Sequence, residues 1–188
     1  MLEHIIELDK QLLVFLNSLG SENFDGLWLI ITKQLYWTPI FLYVFYLLQK
    51  KLGWKHLLLV IVFLALLIAF TDQVTNLVKN SVQRLRPCND PEIKDIIRAV
   101  KPSSSFSYFS GHAANSIAST TFIVLILRKY YKYAFLFFLF PLIFAYSRIY
   151  LGLHFPGDIL SGYIFGICTG YLFSKGYEAY RKKYFPDI

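Results

Sequence analysis

The sequence predicts an all-α protein: an integral membrane helical bundle of about five transmembrane helices, preceded by an amphipathic helix that lies in the interface. Two observations predict it. Of the 188 residues, 56% are hydrophobic and only 16% charged, against about 45–50% and about 25% in a soluble domain. The apolar residues also come in blocks, such as 57–70, 121–127 and 134–145, separated by short charged clusters. This pattern excludes a disordered chain and a collagen-like one. With two cysteines, Cys88 in a polar loop and Cys168 in an apolar stretch, it excludes a disulfide scaffold as well. The length suits one domain spanning residues 1–188.

The elements follow in order. Leu2, Ile5, Ile6, Leu12, Leu13 and Leu16 fall on one helical face and Glu3, Glu7 and Lys10 on another, which is too polar to span and suits an interfacial helix. Glu3, Glu7 and Asp9 stand where a signal peptide would be positive, so none is expected. Spans are expected at 27–48, 54–74, 112–127, 133–150 and 156–173. The first carries Lys33 and Gln34, and the fifth is interrupted by glycines. The connection 88–109, with Pro91, Pro102 and Ser103–Ser105, is long enough to be a lid, a headgroup reader or a solvated loop.

The net charge of +7 suits membrane topology rather than nucleic acid, because aromatic and apolar residues dominate the chain. Lys50, Lys51 and Lys55, then Arg128, Lys129 and Lys132, then Lys175, Arg181, Lys182 and Lys183 fall on one side of the expected spans. Lys and Arg in short connections mark the cytoplasmic side. The long loop and the 152–155 turn then lie on the opposite face.

Three polar clusters share that face. Asp72, Asn76, Lys79 and Gln83 step by four, three and four residues along one helix face, followed by Arg84, Arg86 and Pro87. Ser110, Gly111 and His112 open the third span. Ser147 and Arg148 close the fourth, with His154 and Asp158 around the next turn. Ionisable groups at membrane depth point to function. Lys79, Arg86 and Arg148 are cationic donors for an anion, and a helix start at Ser110 and Gly111 adds free N–H groups. Asp158 can fix the tautomer of His154 and leave its other nitrogen free to attack phosphorus. Taken singly, each feature has a plainer reading: interfacial cations, a satisfied interfacial histidine, a hydrogen-bonded His–Asp pair. Arg84 reads as a headgroup or solvent contact.

Lys79 separated by six residues from Arg86–Pro87, then Ser110–Gly111–His112, then Ser147–Arg148 with His154 and Asp158, resembles the three-part signature of the type 2 phosphatidic acid phosphatase superfamily. The resemblance implies a metal-independent, cofactor-free lipid phosphatase working through phosphohistidine. In it His154 is the nucleophile, Asp158 orients it, and His112 protonates the leaving oxygen. Lys79, Arg86, Ser110, Gly111 and Arg148 hold the phosphoryl oxygens. Phe109 departs from the signature, which usually has proline there.

The expected partners are a lipid phosphate and the bilayer, with no nucleic acid. The expected location is a bacterial inner membrane, with the site on the periplasmic or extracellular face. Among substrates, undecaprenyl diphosphate comes first by analogy with small bacterial members. Phosphatidylglycerol phosphate and the phosphates of lipid A are the alternatives. An anion transporter is the competing class, disfavoured because the charges gather at one end and no internal repeat is seen. A vanadate-dependent haloperoxidase shares the signature, but those relatives are soluble and larger.

Overall fold

The computed structural model describes residues 2–185. Met1 and residues 186–188, the ends of the expected domain, lie outside the described residues, as does the side chain of Leu2. Six α-helices follow in chain order: α1 (Leu2–Ser18), α2 (Glu22–Ile31), α3 (Thr38–Val82), α4 (Gly111–Leu127), α5 (Leu139–Tyr150) and α6 (Pro156–Tyr184). Single 3-10 turns stand at Gln34–Trp37, Pro87–Asn89 and Ala134–Phe138. No strand occurs among the described residues.

The expected first span divides in two. Lys33 is extended (φ −90°, ψ 114°), so α2 ends before it, and the Trp37 indole donates to the Ile31 carbonyl at 2.8 Å across the break. Residues 27–31 therefore belong to α2, whose Trp28 packs on Tyr146 and Tyr150. The span proper is the first limb of α3, residues 38–52. Gly53, at φ 74° and ψ 172°, interrupts the helix in a conformation open to glycine. There the chain reverses. A straight helix would hold Phe41 and Ile68 about 40 Å apart, yet both line one cavity. The second limb continues to Val82, well past residue 74.

At the centre stands α4, whose Ala113, Ala114, Ala118 and Phe122 are inaccessible. Its closest neighbour is α6, and the glycines of α6 are the reason. They do not break the helix, as the sequence suggested, but form a stripe at 162, 166 and 170. A Cβ would stand 2.8 Å from the Ser110 carbonyl oxygen at Gly162, 2.5 Å from that of Ala114 at Gly166, and 2.5 Å from that of Ala118 at Gly170. Small residues at four-residue spacing let two backbones approach, as membrane helices do.

The outside of the bundle is apolar. Leu58, Leu66, Leu77, Leu160, Ile164 and Leu172 are each more than half exposed, a surface that suits lipid rather than water. The basic connections meet at one end: Lys51 lies over the Tyr131 ring, Lys55 over Phe185, and Lys129 pairs with Glu178. The three polar clusters meet at the other.

The docking of α1 differs from expectation. Only part of its apolar face is covered: Leu13 is inaccessible, whereas Ile5, Ile6 and Leu12 are exposed. Its polar residues tie it down. Lys10 pairs with Asp90 and Glu92. The Asn17 amide donates to the carbonyls of Arg98, Ile149 and Tyr150 and accepts the Arg98 N–H. The long loop is thus fastened to α1, with Ile93 buried.

Candidate active site

Each functional side chain sits at a helix end because a local signal puts the end there. Pro87 follows the close of α3, and Arg86 is extended before it (φ −74°, ψ 156°). Ser110 is the N-cap of α4, its hydroxyl accepting the Ala113 N–H. After α5, Gly152 takes φ 71°, and the N–H groups of Leu153 and His154 both donate to the Arg148 carbonyl, at 2.9 and 3.3 Å. That turn carries His154 back under α5. Pro156 then starts α6, with the Asp158 carboxylate accepting the Phe155 N–H at 3.0 Å.

His154 and Asp158 form the core of the site. Both are essentially inaccessible, and Nδ1 of His154 lies 3.4 Å from Oδ2 of Asp158. The Ser107 hydroxyl donates to the same Oδ2 and lies 3.4 Å from Nδ1. The other imidazole nitrogen, Nε2, is 3.2 Å from a guanidinium nitrogen of Arg86. An N–H donated by Arg86 fixes the tautomer: the proton is on Nδ1 and the lone pair on Nε2. Burial pushes the His154 pKa down to about 3; Asp158 opposes the shift, while Arg86 and Arg148 reinforce it. The imidazole is neutral at physiological pH.

The cations close around it. Arg86 is 5% exposed, and it donates to the Leu153 carbonyl, the Ser105 carbonyl and the Ser105 hydroxyl. Burial lowers its pKa from the usual guanidinium value. Arg148, equally buried, donates to the Thr32 hydroxyl at 2.6 Å, while its Nε has no hydrogen-bond partner among the described residues. Lys79 feels the charges of Arg86, Arg148 and Asp158, and His112 those of Arg148, Lys79 and Arg86. The His112 ring rests 5.5 Å from that of Phe144. Ser110 joins the clusters directly, its N–H donating to the Asp158 carbonyl at 3.1 Å. Lys79, Arg86, Ser110, His112, Arg148, His154 and Asp158 thus gather in one constellation, with Gly111 lining the cavity beside it, whereas Gln83 ends α3 in a left-handed cap and the Ser147 hydroxyl turns to the Phe144 carbonyl.

Three contributors were not foreseen. Arg84 is no free headgroup contact. One of its nitrogens donates to Oδ1 of Asp158 and another to Asp9, both at 2.8 Å, and its guanidinium lies 3.8 Å from the Phe155 ring centre. Asp9, on α1, also accepts the Gly157 N–H at 2.7 Å. Ser107 comes from the long loop. The one sequence signal for Asp9 is a carboxylate set in an amphipathic helix; Arg84 and Ser107 sit beside motif residues.

A cavity of about 380 Å³ opens beside Lys79, Gly111 and His112. It runs along Thr75, Asn76, Asp72 and Asn115 and shares Gln34, Ile68, Ser119 and Phe140 with an apolar cavity of about 230 Å³. Among the described residues no three of His, Cys, Asp or Glu stand together as a metal site.

The chain has known relatives. The chain is 37% identical over 92% of its length to a lipid A 4'-phosphatase of Bacteroides thetaiotaomicron, covering 78% of that protein. It is 30% identical over 70% of its length to phosphatidylglycerophosphatase B of Bacillus subtilis, covering 62% of it. The fold matches the crystal structure of a transmembrane PAP2-type phosphatidylglycerolphosphate phosphatase from Bacillus subtilis, with a TM-score of 0.72 at 20% identity over 96% of this chain and 89% of that one. It also matches LpxE of Aquifex aeolicus, with a TM-score of 0.61 at 19% identity over 88% and 93%. The profile of the PAP2 superfamily covers residues 56–182, every signature position included, and the chain belongs to that superfamily.

Proposed function

We propose that this chain is a single-domain membrane lipid phosphatase that removes a phosphate from a glycolipid of the lipid A type. One observation carries the phosphatase reading: a buried neutral imidazole, held by a carboxylate, presents Nε2 to Arg86 in a cluster of cations with Arg148 and Lys79, near a cavity that continues into an apolar one. The substrate class rests on the 37% identical relative. Undecaprenyl diphosphate, the first expectation from the sequence, gives way to the lipid A alternative, because no relative described above bears a name that refers to it.

In this mechanism the cations and the N-terminal amides of α4 hold the phosphoryl oxygens, and Nε2 of His154 attacks phosphorus. The P–N bond forms as the ester P–O bond breaks. Asp158 stabilises the imidazolium through Nδ1–H. The bound phosphate offsets the cations around His112, so that this imidazole carries the proton taken by the leaving oxygen. A water, losing its proton to His112, then breaks the P–N bond and phosphate leaves. Lys79, Arg86 and Arg148 supply the charge stabilisation that a metal would otherwise bring, so the reaction runs without one. The Lys and Arg excess in the connections on the other side supports a site on the outer face of an inner membrane.

The test is a panel of purified lipid phosphates in detergent: a 4'-phosphorylated disaccharide lipid, phosphatidylglycerophosphate, phosphatidic acid and undecaprenyl diphosphate. The highest kcat/KM is expected on the disaccharide lipid. A preference for undecaprenyl diphosphate would overturn the substrate class.

A further inference from the structure

Two residues of the polar stripe on α3 have no part in the phosphate site. Asp72 and Asn76 stand two turns and one turn deeper than Lys79 on the same face, about 10 Å and about 4.5 Å along the helix, and line the same cavity as Lys79 and His112. On the cavity wall, the Asn115 amide donates to the Asp72 carboxylate at 2.5 Å, and the Thr71 hydroxyl donates to the Asn115 carbonyl. This places a carboxylate, oriented by its neighbours, on the wall of a groove in the membrane. Charges at that depth are expensive unless they meet a polar partner. Asn115 engages only Oδ1 of Asp72, and Asp72 and Asn76 are exposed to the groove, so the remaining acceptor capacity is left to what enters it.

The groove is graded. Lys79 and His112 lie at its mouth, Asp72, Asn76, Asn115 and Ser119 in the middle, and Phe41, Val44, Phe45, Leu64 and Ile123 at its apolar end. The polar middle is about as long as one sugar ring with its substituents, and its charged member is a pure acceptor. From this we infer that Asp72, with Asn115 and Asn76, forms a headgroup subsite for hydroxyl and amide N–H donors on the leaving group. It favours a phosphorylated saccharide or polyol lipid over one whose phosphate joins a fully esterified glycerol. A glycerol diester offers Asp72 no donor. It would leave the second oxygen of the Asp72 carboxylate without a donor, and a site built to accept donors discriminates strongly against ligands that lack them. This inference rests on the lipid phosphatase reading above.

The experiment compares kcat/KM on the 4'-phosphorylated disaccharide lipid, phosphatidylglycerophosphate and phosphatidic acid for the wild type, Asp72→Leu and Asn76→Leu. The ratio of each hydroxyl-bearing substrate to phosphatidic acid should fall about 10- to 100-fold in Asp72→Leu and about threefold to tenfold in Asn76→Leu. A ratio that stays within twofold of wild type, with all substrates slowed alike or none slowed, overturns the subsite. Asp72→Asn keeps the shape, and its ratio should fall about threefold to tenfold; it decides the matter if the leucine variant does not fold. Wild-type enzyme inert on the disaccharide lipid but active on phosphatidylglycerophosphate would overturn the lipid A reading alone. The ratio of phosphatidylglycerophosphate to phosphatidic acid would then still judge the subsite.

Discussion

Replacing Arg84 with glutamine tests whether the active site is held together from outside the signature. The Asp158 carboxylate is inaccessible, with Oδ2 engaged by Phe155 N–H, Ser107 and His154 and Oδ1 by Arg84. Glutamine is too short to reach Oδ1, so a buried anion loses its countercharge. Breaking a fully buried pair costs about 3–5 kcal/mol. Arg84 is 22% exposed, so water can replace part of the interaction, and about 2 kcal/mol is the better figure. If that cost appears as disorder of Asp158, it corresponds to about a 30-fold loss in the step that needs His154 aligned. Arg84 makes no contact with the phosphate in the mechanism above, so kcat should fall about 30-fold while KM moves less than threefold. Arg84→Lys, able to reach one carboxylate but not two, should recover most of the loss. Asp9→Asn should lower kcat about fivefold by loosening Arg84 from the far side. Rapid-quench measurement of phosphoenzyme formation reads the step directly. A raised KM with kcat intact would return Arg84 to the headgroup role the sequence suggested.

Other outcomes follow from the same geometry. His154→Ala should abolish phosphoenzyme on every substrate, whereas His112→Ala should slow an alkyl phosphate about 10²–10⁴-fold and a nitrophenyl phosphate only mildly; equal losses for His112→Ala would reject its acid role. Turnover should survive exhaustive EDTA treatment, and loss restored by Mg²⁺ or Zn²⁺ would contradict charge stabilisation by Lys79, Arg86 and Arg148. In a variant lacking Cys88 and Cys168, a cysteine at the exposed Ser104 should react with an impermeant thiol reagent in intact cells and one at the exposed Lys132 should not; the reverse would invert the topology.

The site was legible in the sequence where chemistry and spacing coincide. Lys79, Arg86, Ser110, Gly111, His112, Arg148, His154 and Asp158 carry their meaning in residue type and short-range order, and the structure brings them together. What holds them was not legible, because it depends on contacts across the chain. Arg84 reaches Asp158 over 74 residues, Ser107 reaches it over 51, and Asp9 reaches Gly157 over 148. Lys10 falls on the polar face of the expected interfacial helix, yet together with Asp9 and Asn17 it docks that helix. In the fold, hydropathy located the apolar blocks but not the break at Lys33. That break depends on a backbone turn closed by Trp37, and a window of average hydropathy runs straight across it.

The glycines of α6 show the opposite failure, a correct observation with the wrong consequence. Their four-residue spacing sets how near α6 comes to α4, and that gap sets the separation of the two histidines, because His112 rides on α4 and His154 is tied to the start of α6. At Gly166 a methyl group would meet the Ala114 carbonyl oxygen at 2.5 Å and the Ile117 side chain at 2.4 Å. Backbone cannot rotate away, so the helices must part by about 1 Å to reach ordinary contact. The Ser110 N–H bond to the Asp158 carbonyl lies about two turns above and would stretch with them. Misplacing reacting groups by about 1 Å costs about 10²-fold. Gly166→Ala should therefore lower kcat about 10- to 100-fold although it touches neither histidine. Gly176→Ala, whose new methyl would meet the nearest atom at 3.7 Å on Phe63, should stay within twofold. The pair separates a general effect of alanine in α6 from a change in the helix gap. Wild-type kcat in Gly166→Ala, with the protein still folded, would mean that the gap is not what aligns the site.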